Sequence, residues 1–145
     1  MKKWQIARIL IEGDRSLLQR LCEQIERKYS METVKPPERS LVMTKANDSV
    51  SQKPFYLGEV LVTECTVSIQ GVYGFGVLMG EDAERAYQLA VVDAAFQAKL
   101  PETGAWEPEL LAEEERIAVR QRTVYSQSAK TKVNFDTMEE YNAKR

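Results

Sequence analysis

The stretch from Phe55 to Ile69 alternates apolar and polar residues, which predicts one long β-strand. From Leu61 onward the odd positions form the predicted core face, and the even positions include the polar Glu64, Thr66 and Ser68. The odd positions are Leu61, Thr63, Cys65, Val67 and Ile69. Glu59 falls on the apolar side of this alternation, directly after Gly58. A carboxylate on a core face persists only when it is paired or hydrogen-bonded. Glu59 is therefore a candidate for a specific contact, and Gly58 is a candidate for a β-bulge that would turn Glu59 elsewhere.

Helical periodicity before this strand predicts a helical hairpin over residues 3–30. Gly13 ends its first helix, and Asp14 can cap the second. Two helices joined by a tight turn are also compatible with a DNA-reading helix-turn-helix over residues 4–29. The ordinary hairpin is the favoured interpretation, because the chain is acidic and lacks a set of polar residues suited to reading bases.

An antiparallel meander is predicted over residues 33–79. Pro36 and Pro37 are expected to break the chain, so that the first strand covers residues 39–46. The last strand carries Tyr73, Phe75, Val77 and Met79 on one face.

Gly74 and Gly76 occupy the other face of that last strand, and glycines within a strand indicate a close approach by another backbone. The following helix, predicted over residues 82–99, has small side chains at every fourth position: Ala86, Ala90, Ala94 and Ala98. We therefore expect this alanine ridge to pack against the two glycines. Asp93 lies inside the apolar arc of the same helix, as a second carboxylate where an apolar residue is expected.

The C-terminal part contains a predicted linker, PETGAWEPE, and a helix over residues 108–128 with Pro108 in its first turn. Two apolar columns at heptad spacing allow this helix to pack on its own domain or on a partner. An extended tail follows over residues 131–145. Three apolar residues in its polar sequence predict that it docks on a partner: Val133, Phe135 and Met138. The alternative is that the tail folds back and covers the sheet or a helix of its own domain.

Together these elements predict an α+β fold in a single domain over residues 1–145. The net charge of −2 and the absence of a long basic field do not favour nucleic-acid binding. No apolar run is long enough for a membrane span. The two cysteines, Cys22 and Cys65, have no paired-motif spacing, which fits a reducing cytoplasm.

The chain contains no histidine, which excludes Ser-His-Asp and Cys-His catalysis and a typical zinc site. It also lacks a Walker loop and the cysteines of an iron–sulfur centre. We therefore expect no cofactor, no metal ligand and no catalytic residue in this chain, which has the character of an assembly subunit.

Three blocks of the sequence carry a resemblance to a known family. The first block, FYLGEVLVTE, contains an F-x-L-G-E stretch. The second block, GEDAERAYQLAVVDAAF, has a G-x-D-x-x-x-A-x-x-x-A-x-x-D-A spacing from Gly80 to Ala94. The third block, VNFDTM, is similar to V-D-F-F-T-M, although Asn134 and Asp136 replace an aspartate and a phenylalanine. In these blocks the chain resembles the PhnG family, whose members are subunits of the bacterial carbon–phosphorus lyase core complex.

The resemblance implies a role in the use of phosphonates as a phosphorus source. Such a chain works with three other core subunits and with a subunit similar to ABC-type ATPases. The assembly forms ribose 1-methylphosphonate 5-triphosphate from ATP and methylphosphonate, displacing adenine. A radical S-adenosylmethionine subunit later cleaves the carbon–phosphorus bond. The resemblance therefore implies a subunit of a transferase complex without activity of its own.

The candidate contacts to substrate or partner are Glu59, Asp93 and Gly58, and the candidate partner interface comprises Phe55, Leu57, Val133, Phe135 and Met138. One alternative is a small enzyme with Glu59 and Asp93 as general acid and base, which requires both carboxyls in one cleft. The other is a helix-turn-helix regulator, which requires an exposed basic face on the second helix.

Overall fold

The fold was determined as a computed structural model that describes residues 1–133. Its elements are, in chain order, α1 (Lys3–Glu12), α2 (Arg15–Lys28), β1 (Met31–Asn47), β2 (Pro54–Ile69), β3 (Val72–Met79), α3 (Ala83–Gln97) and α4 (Glu102–Ala129). The order of a helical hairpin, an antiparallel meander and two further helices confirms the predicted α+β fold.

The helical hairpin forms as the sequence predicts. The N–H of Gly13 donates to the carbonyl of Ile9 at 2.8 Å and closes α1. The Asp14 carboxylate accepts the N–H of Ser16 at 2.9 Å and caps α2. Both ends of the turn are thereby satisfied within the hairpin.

The sheet has the strand order β1-β2-β3, and both pairs are antiparallel. The β2–β3 pairing ends where Val62 lies opposite Met79, but β1 and β2 remain paired as far as Asn47 opposite Pro54. Residues 41–61 therefore form a two-stranded ribbon that extends past the end of β3. We call this ribbon the arm.

The break predicted at Pro36 and Pro37 is wrong, because both prolines lie within β1. Lys35 lies opposite Thr66 and Glu38 opposite Glu64, so the segment between them contains one residue more than its partner strand. This is a β-bulge. Since β1 is an edge strand, the missing proline N–H groups remove no hydrogen bond from a central ladder.

The α3–β3 contact confirms the prediction for the alanine ridge. A Cβ added at Gly74 would lie 2.2 Å from the backbone nitrogen of Ala94, and one at Gly76 would lie 2.0 Å from the carbonyl oxygen of Ala86. Neither position has room for a side chain. The helix lies directly on the backbone of the strand, and Ala90 between the two contacts is fully buried.

The helix α4 begins at Glu102, six residues before the predicted start at Pro108, so the predicted linker is helical. Trp106 explains the difference. Its indole is 1% exposed, its Nε1–H donates to Gln24 at 2.8 Å, and its ring centroid lies 5.6 Å from that of Phe96. A side chain anchored in this way holds the segment against the core, and Pro108 then lies inside the helix. Of the predicted tail, the described residues include only 131–133.

Candidate functional site

Asp93 has two partners within the chain. Its carboxylate accepts the N–H of Phe75 at 2.9 Å and contacts the Lys3 ammonium at 3.0 Å, and its side chain is 13% exposed. Phe75 belongs to an edge strand, so its N–H points away from β2. Asp93 therefore stabilises the edge of the sheet, and this accounts for a carboxylate in the apolar arc of α3.

The other polar residues of the second block hold the turn between β3 and α3. Gly80 has a φ of +88°, a conformation that favours glycine. The Thr63 hydroxyl donates to the Gly80 carbonyl at 2.6 Å and accepts the N–H of Asp82 at 3.1 Å. Asp82 caps α3 by accepting the N–H of Arg85 at 3.1 Å, and it pairs with Arg15 at 2.8 Å. Burial alone would raise the pKa of Asp82, but these two donors lower it below its usual value of 3.8.

Glu113 is a buried carboxylate that is not among the candidates predicted from the sequence. Glu113 is 1% exposed, accepts the N–H of Asp14 at 3.0 Å, and lies 3.3 Å from Arg116 and 3.7 Å from Arg120. The signal was its spacing of four residues before Ile117, which places it on the buried face of α4. It anchors the α1–α2 turn to α4.

Arg85 of α3 caps the other end of that turn. Its guanidinium donates to the carbonyls of Leu10 at 3.0 Å and Gly13 at 3.1 Å. These carbonyls belong to the C-terminal end of α1, where a cation is favourable. The role of Arg85 within the described residues is therefore structural.

Glu59 lies on the arm, and the prediction that it faces a core is wrong. It is exposed, opposite Met43, and the next pair on the same face is Leu41 opposite Leu61. Met43, Leu41 and Leu61 are 56%, 60% and 40% exposed. Glu59 points to the same face of β2 as Leu61, as the alternation predicts. In residues 1–133, however, no helix covers this face of the arm. The Glu59 side chain forms no hydrogen bond or ion pair with another described residue.

A β-bulge lies beside Gly58, as predicted. Thr44 lies opposite Gly58 and Lys45 opposite Tyr56, which leaves Leu57 as the extra residue. The bulge lies on the far side of Gly58 from Glu59, so it does not change the side to which Glu59 points. A Cβ at Gly58 would meet nothing within 4 Å. Nothing in the described chain requires glycine at this position.

Large apolar side chains are exposed over the whole arm. Those above 40% exposure in the strands are Leu41, Val42, Met43, Phe55, Tyr56 and Leu57. The predicted interface residues Phe55 and Leu57 are 45% and 69% exposed, and Val133 is 66% exposed. Their contact with a partner stays a prediction, and Phe135 and Met138 lie outside the described residues.

The acid–base alternative is wrong, because Glu59 and Asp93 do not share a cleft. Asp93 contacts Phe75, which lies opposite Thr66 on β2. The seven residue-to-residue steps of extended strand from Glu59 to Thr66 span about 23 Å.

The helix-turn-helix alternative is wrong as well. The apolar residues of α2 face the core of the protein: Leu18, Cys22 and Ile25 are at most 3% exposed. Its cations are paired with carboxylates in different directions: Arg20 with Glu109, Arg27 with Glu23, and Lys28 with Glu102. No continuous basic face is left on this helix to read a DNA groove.

The described residues offer little material for independent chemistry. Both cysteines are free and buried, and burial, reinforced by Glu26, raises the pKa of the Cys22 thiol to about 12. No group of three potential metal ligands occurs within residues 1–133, and no helix there could span a membrane. A groove of about 430 Å³ between α1, α3 and β3 is mainly apolar, and its ionic groups, Lys3 and Asp93, are already paired.

Comparisons with known proteins agree with the three sequence blocks. The protein-family model described as "Phosphonate metabolism protein PhnG" matches residues 2–140. The alpha-D-ribose 1-methylphosphonate 5-triphosphate synthase subunit PhnG of Rhizobium meliloti (strain 1021) is 32% identical over 136 residues, which cover 90% of this chain and 84% of that protein. These matches extend over both helical regions and the sheet.

Proposed function

The chain belongs to the PhnG family of phosphonate metabolism, and from that premise we propose that it is a subunit of the synthase of ribose 1-methylphosphonate 5-triphosphate. Its contribution is to bind the other subunits through the arm. The observation that carries this proposal is the set of exposed apolar side chains on the face of the arm that carries Glu59, which we call the apolar row: Leu41, Met43, Leu57 and Leu61.

The arm is poorly stabilised by its own chain. An isolated two-stranded ribbon is at best marginally stable in water, and large exposed apolar patches on soluble proteins usually mark interaction sites. Full burial of one large aliphatic side chain contributes about 1.5–3 kcal/mol. A partner that covers Leu41, Leu57 and Leu61 would therefore stabilise both the interface and the arm.

Glu59 adds specificity to this surface. A partner that covers the row would bury its carboxylate between Met43 and Leu61, which is costly unless the partner supplies a cation or backbone N–H groups. Gly58 beside it presents a bare backbone, which another chain can approach closely. The first block thus combines an apolar row, one charge and one point of close approach.

The reaction itself would depend on other subunits. Chemistry on a nucleoside triphosphate needs a metal ion and donors aimed at the phosphates. The carboxylates of Asp82, Asp93 and Glu113 are occupied by contacts within the chain. We expect no turnover of ATP by the isolated chain, and robust turnover that Glu59→Gln abolishes would contradict this.

Co-expression with the other synthase subunits tests assembly through the arm. Leu57→Asp should lower co-elution at least about tenfold, since it places a charge in the apolar row. Leu111→Asp is the matched control, because Leu111 is 48% exposed on α4, within the body of the protein. Equal recovery of the two variants with the partner subunits would contradict assembly through the arm.

Two further expectations accompany this proposal. Free buried thiols at Cys22 and Cys65 fit the reducing environment of the cytoplasm. Contact with a subunit similar to ABC-type ATPases stays a prediction, and co-elution of that subunit with the assembled complex would test it.

A further inference from the structure

The last part of α4 leaves the body of the protein. Every residue from Val119 to Val133 is exposed. The last side-chain contacts with the body are those of Arg120 with the Glu12 carbonyl at 3.2 Å and of Gln121 with the Glu12 carboxylate at 3.3 Å. We call residues 119–133 the α4 extension. From Gln121 to Ala129 its helix runs about 12 Å beyond these contacts.

The extension is not held helical by its own composition. Thr123, Val124 and Tyr125, followed by two serines, are mediocre helix formers. A helical segment of this length is marginal in water without tertiary packing. The helix therefore gains stability from a surface that packs on it, and within residues 1–133 no element does so.

All charged side chains of the α4 extension are positive. It contains four cations and no aspartate or glutamate, in a chain whose net charge is −2. Arg120 is 3.7 Å from Glu113, but Arg122, Lys130 and Lys132 form no ion pair with another described residue. A surface complementary to this segment must be acidic.

Apolar side chains accompany these cations. Val119, Val124 and Tyr125 are 50%, 61% and 78% exposed. Val124 lies seven residues after the buried Ile117, so it continues the packing face of α4 beyond the body. The same face that holds α4 on its own domain is thus available to a second surface.

We propose that the α4 extension is a docking helix that binds an acidic groove with an apolar floor on another synthase subunit. This inference rests on the proposed function, and it adds a second interface to that of the arm. A protein partner fits better than a membrane, because two valines and one tyrosine do not form the broad apolar face of a membrane-surface helix. It also fits better than DNA, because the three cations without an ion-pair partner among residues 1–133 are few against the phosphate contacts of DNA-binding proteins.

Charge reversal in the co-expressed complex tests the inference. The triple variant Arg122→Glu/Lys130→Glu/Lys132→Glu should lower co-elution with the other subunits at least about tenfold at about 0.15 M salt. The matched control is Lys2→Glu/Arg27→Glu/Lys99→Glu, which makes the same change in net charge on exposed residues of the body. It should co-elute like the wild type, and both variants should unfold at the temperature of the wild type. A second variant, Val124→Ser/Tyr125→Ser, should lower recovery without a change in charge.

The outcomes separate this inference from the proposed function. If the wild-type chain does not co-elute with any synthase subunit, both fail. If the wild type assembles and the two triple variants are recovered equally, only the docking helix is overturned. The inference is also overturned if the isolated wild type binds a short DNA duplex or vesicles of phosphatidylcholine and phosphatidylserine, and charge reversal abolishes that binding but leaves assembly intact.

Discussion

The α3–β3 contact and the arm contain the same unusual residues in opposite situations. Each has a glycine in a strand and a carboxylate at an apolar position: Gly76 and Asp93 in the first, Gly58 and Glu59 in the second. At the α3–β3 contact both are explained by neighbours in the same chain. On the arm, a Cβ at Gly58 would meet nothing within 4 Å, and the Glu59 side chain forms no hydrogen bond or ion pair with another described residue. From this difference we infer that Gly76 and Asp93 serve the fold of the chain, and we propose that Gly58 and Glu59 serve contact with another molecule.

The largest effect on folding is expected from Gly76→Ala. The new Cβ would lie 2.0 Å from the carbonyl oxygen of Ala86 and 2.7 Å from the nitrogen of Ala90, both backbone atoms. Because α3 would have to move away from β3, we expect the free energy of unfolding to fall by about 3 kcal/mol or more. Chemical denaturation of the isolated chain measures this loss.

Gly58→Ala is the matched control for that substitution. It meets open space, so the free energy of unfolding should change by no more than about 0.5 kcal/mol. Its recovery with the other subunits should nevertheless fall. If Gly58→Ala destabilised the isolated chain as much as Gly76→Ala, the distinction between the two regions would be lost.

An intermediate effect is expected from Asp82→Ala, which removes the cap of α3. The free energy of unfolding should fall by about 1–2 kcal/mol at neutral pH. The pKa of Asp82 is lower in the folded state than its usual value of 3.8, so the charged form stabilises the fold at pH values above 3.8. This stabilisation is lost as the pH falls through the folded-state pKa.

Denaturation at several pH values below neutral tests this assignment. The difference between wild type and Asp82→Ala should narrow as the pH falls below 3.8. Asp82→Asn keeps an acceptor oxygen without a titrating group, so it should lose less stability at neutral pH. A difference between wild type and Asp82→Ala that is constant down to acidic pH would contradict the role given to the charge.

A smaller effect is expected from Asp93→Ala, which leaves the N–H of Phe75 without its acceptor. Because Phe75 is 56% exposed, water can replace the lost acceptor, so the free energy of unfolding should fall by only about 1 kcal/mol. Lys3→Ala should cost less, because Lys3 is 57% exposed and surface ion pairs are weak. Equal losses of unfolding free energy in Asp93→Ala and Lys3→Ala would show that Asp93 stabilises the fold through the ion pair with Lys3 and not through the hydrogen bond with Phe75.

The smallest effect on folding is expected from Glu59→Ala. The side chain is exposed and has no partner among the described residues, so the free energy of unfolding should stay within about 0.5 kcal/mol of wild type. Recovery of the assembled complex should fall, since a partner that covers the arm would lose a charged contact. If recovery of the complex is unchanged in Glu59→Ala but lowered in Leu57→Asp, the apolar row belongs to the interface and Glu59 does not.

Local pattern determined much of this protein. Alternation in β2 identified Thr63, Cys65, Val67 and Ile69 as core residues, and all four are at most 2% exposed. The helix ends at Gly13 and Asp82 follow from the chemistry of caps, which depends on residues close in sequence. The contact of an alanine ridge with two strand glycines was also predictable, because small residues on both elements indicate that the helix and the strand backbone approach closely.

Only the tertiary structure determines which faces of the strands are covered by other elements. Alternation shows that Glu59 and Leu61 share a face, but the length of β3 and the reach of the helices determine that this face has no core against it. In the same way, the burial of Trp106 extends α4 through a segment that Pro108 and Gly104 mark as a linker. Burial depends on residues far apart in sequence, so a local pattern assigns a face to a residue but does not show what lies against that face.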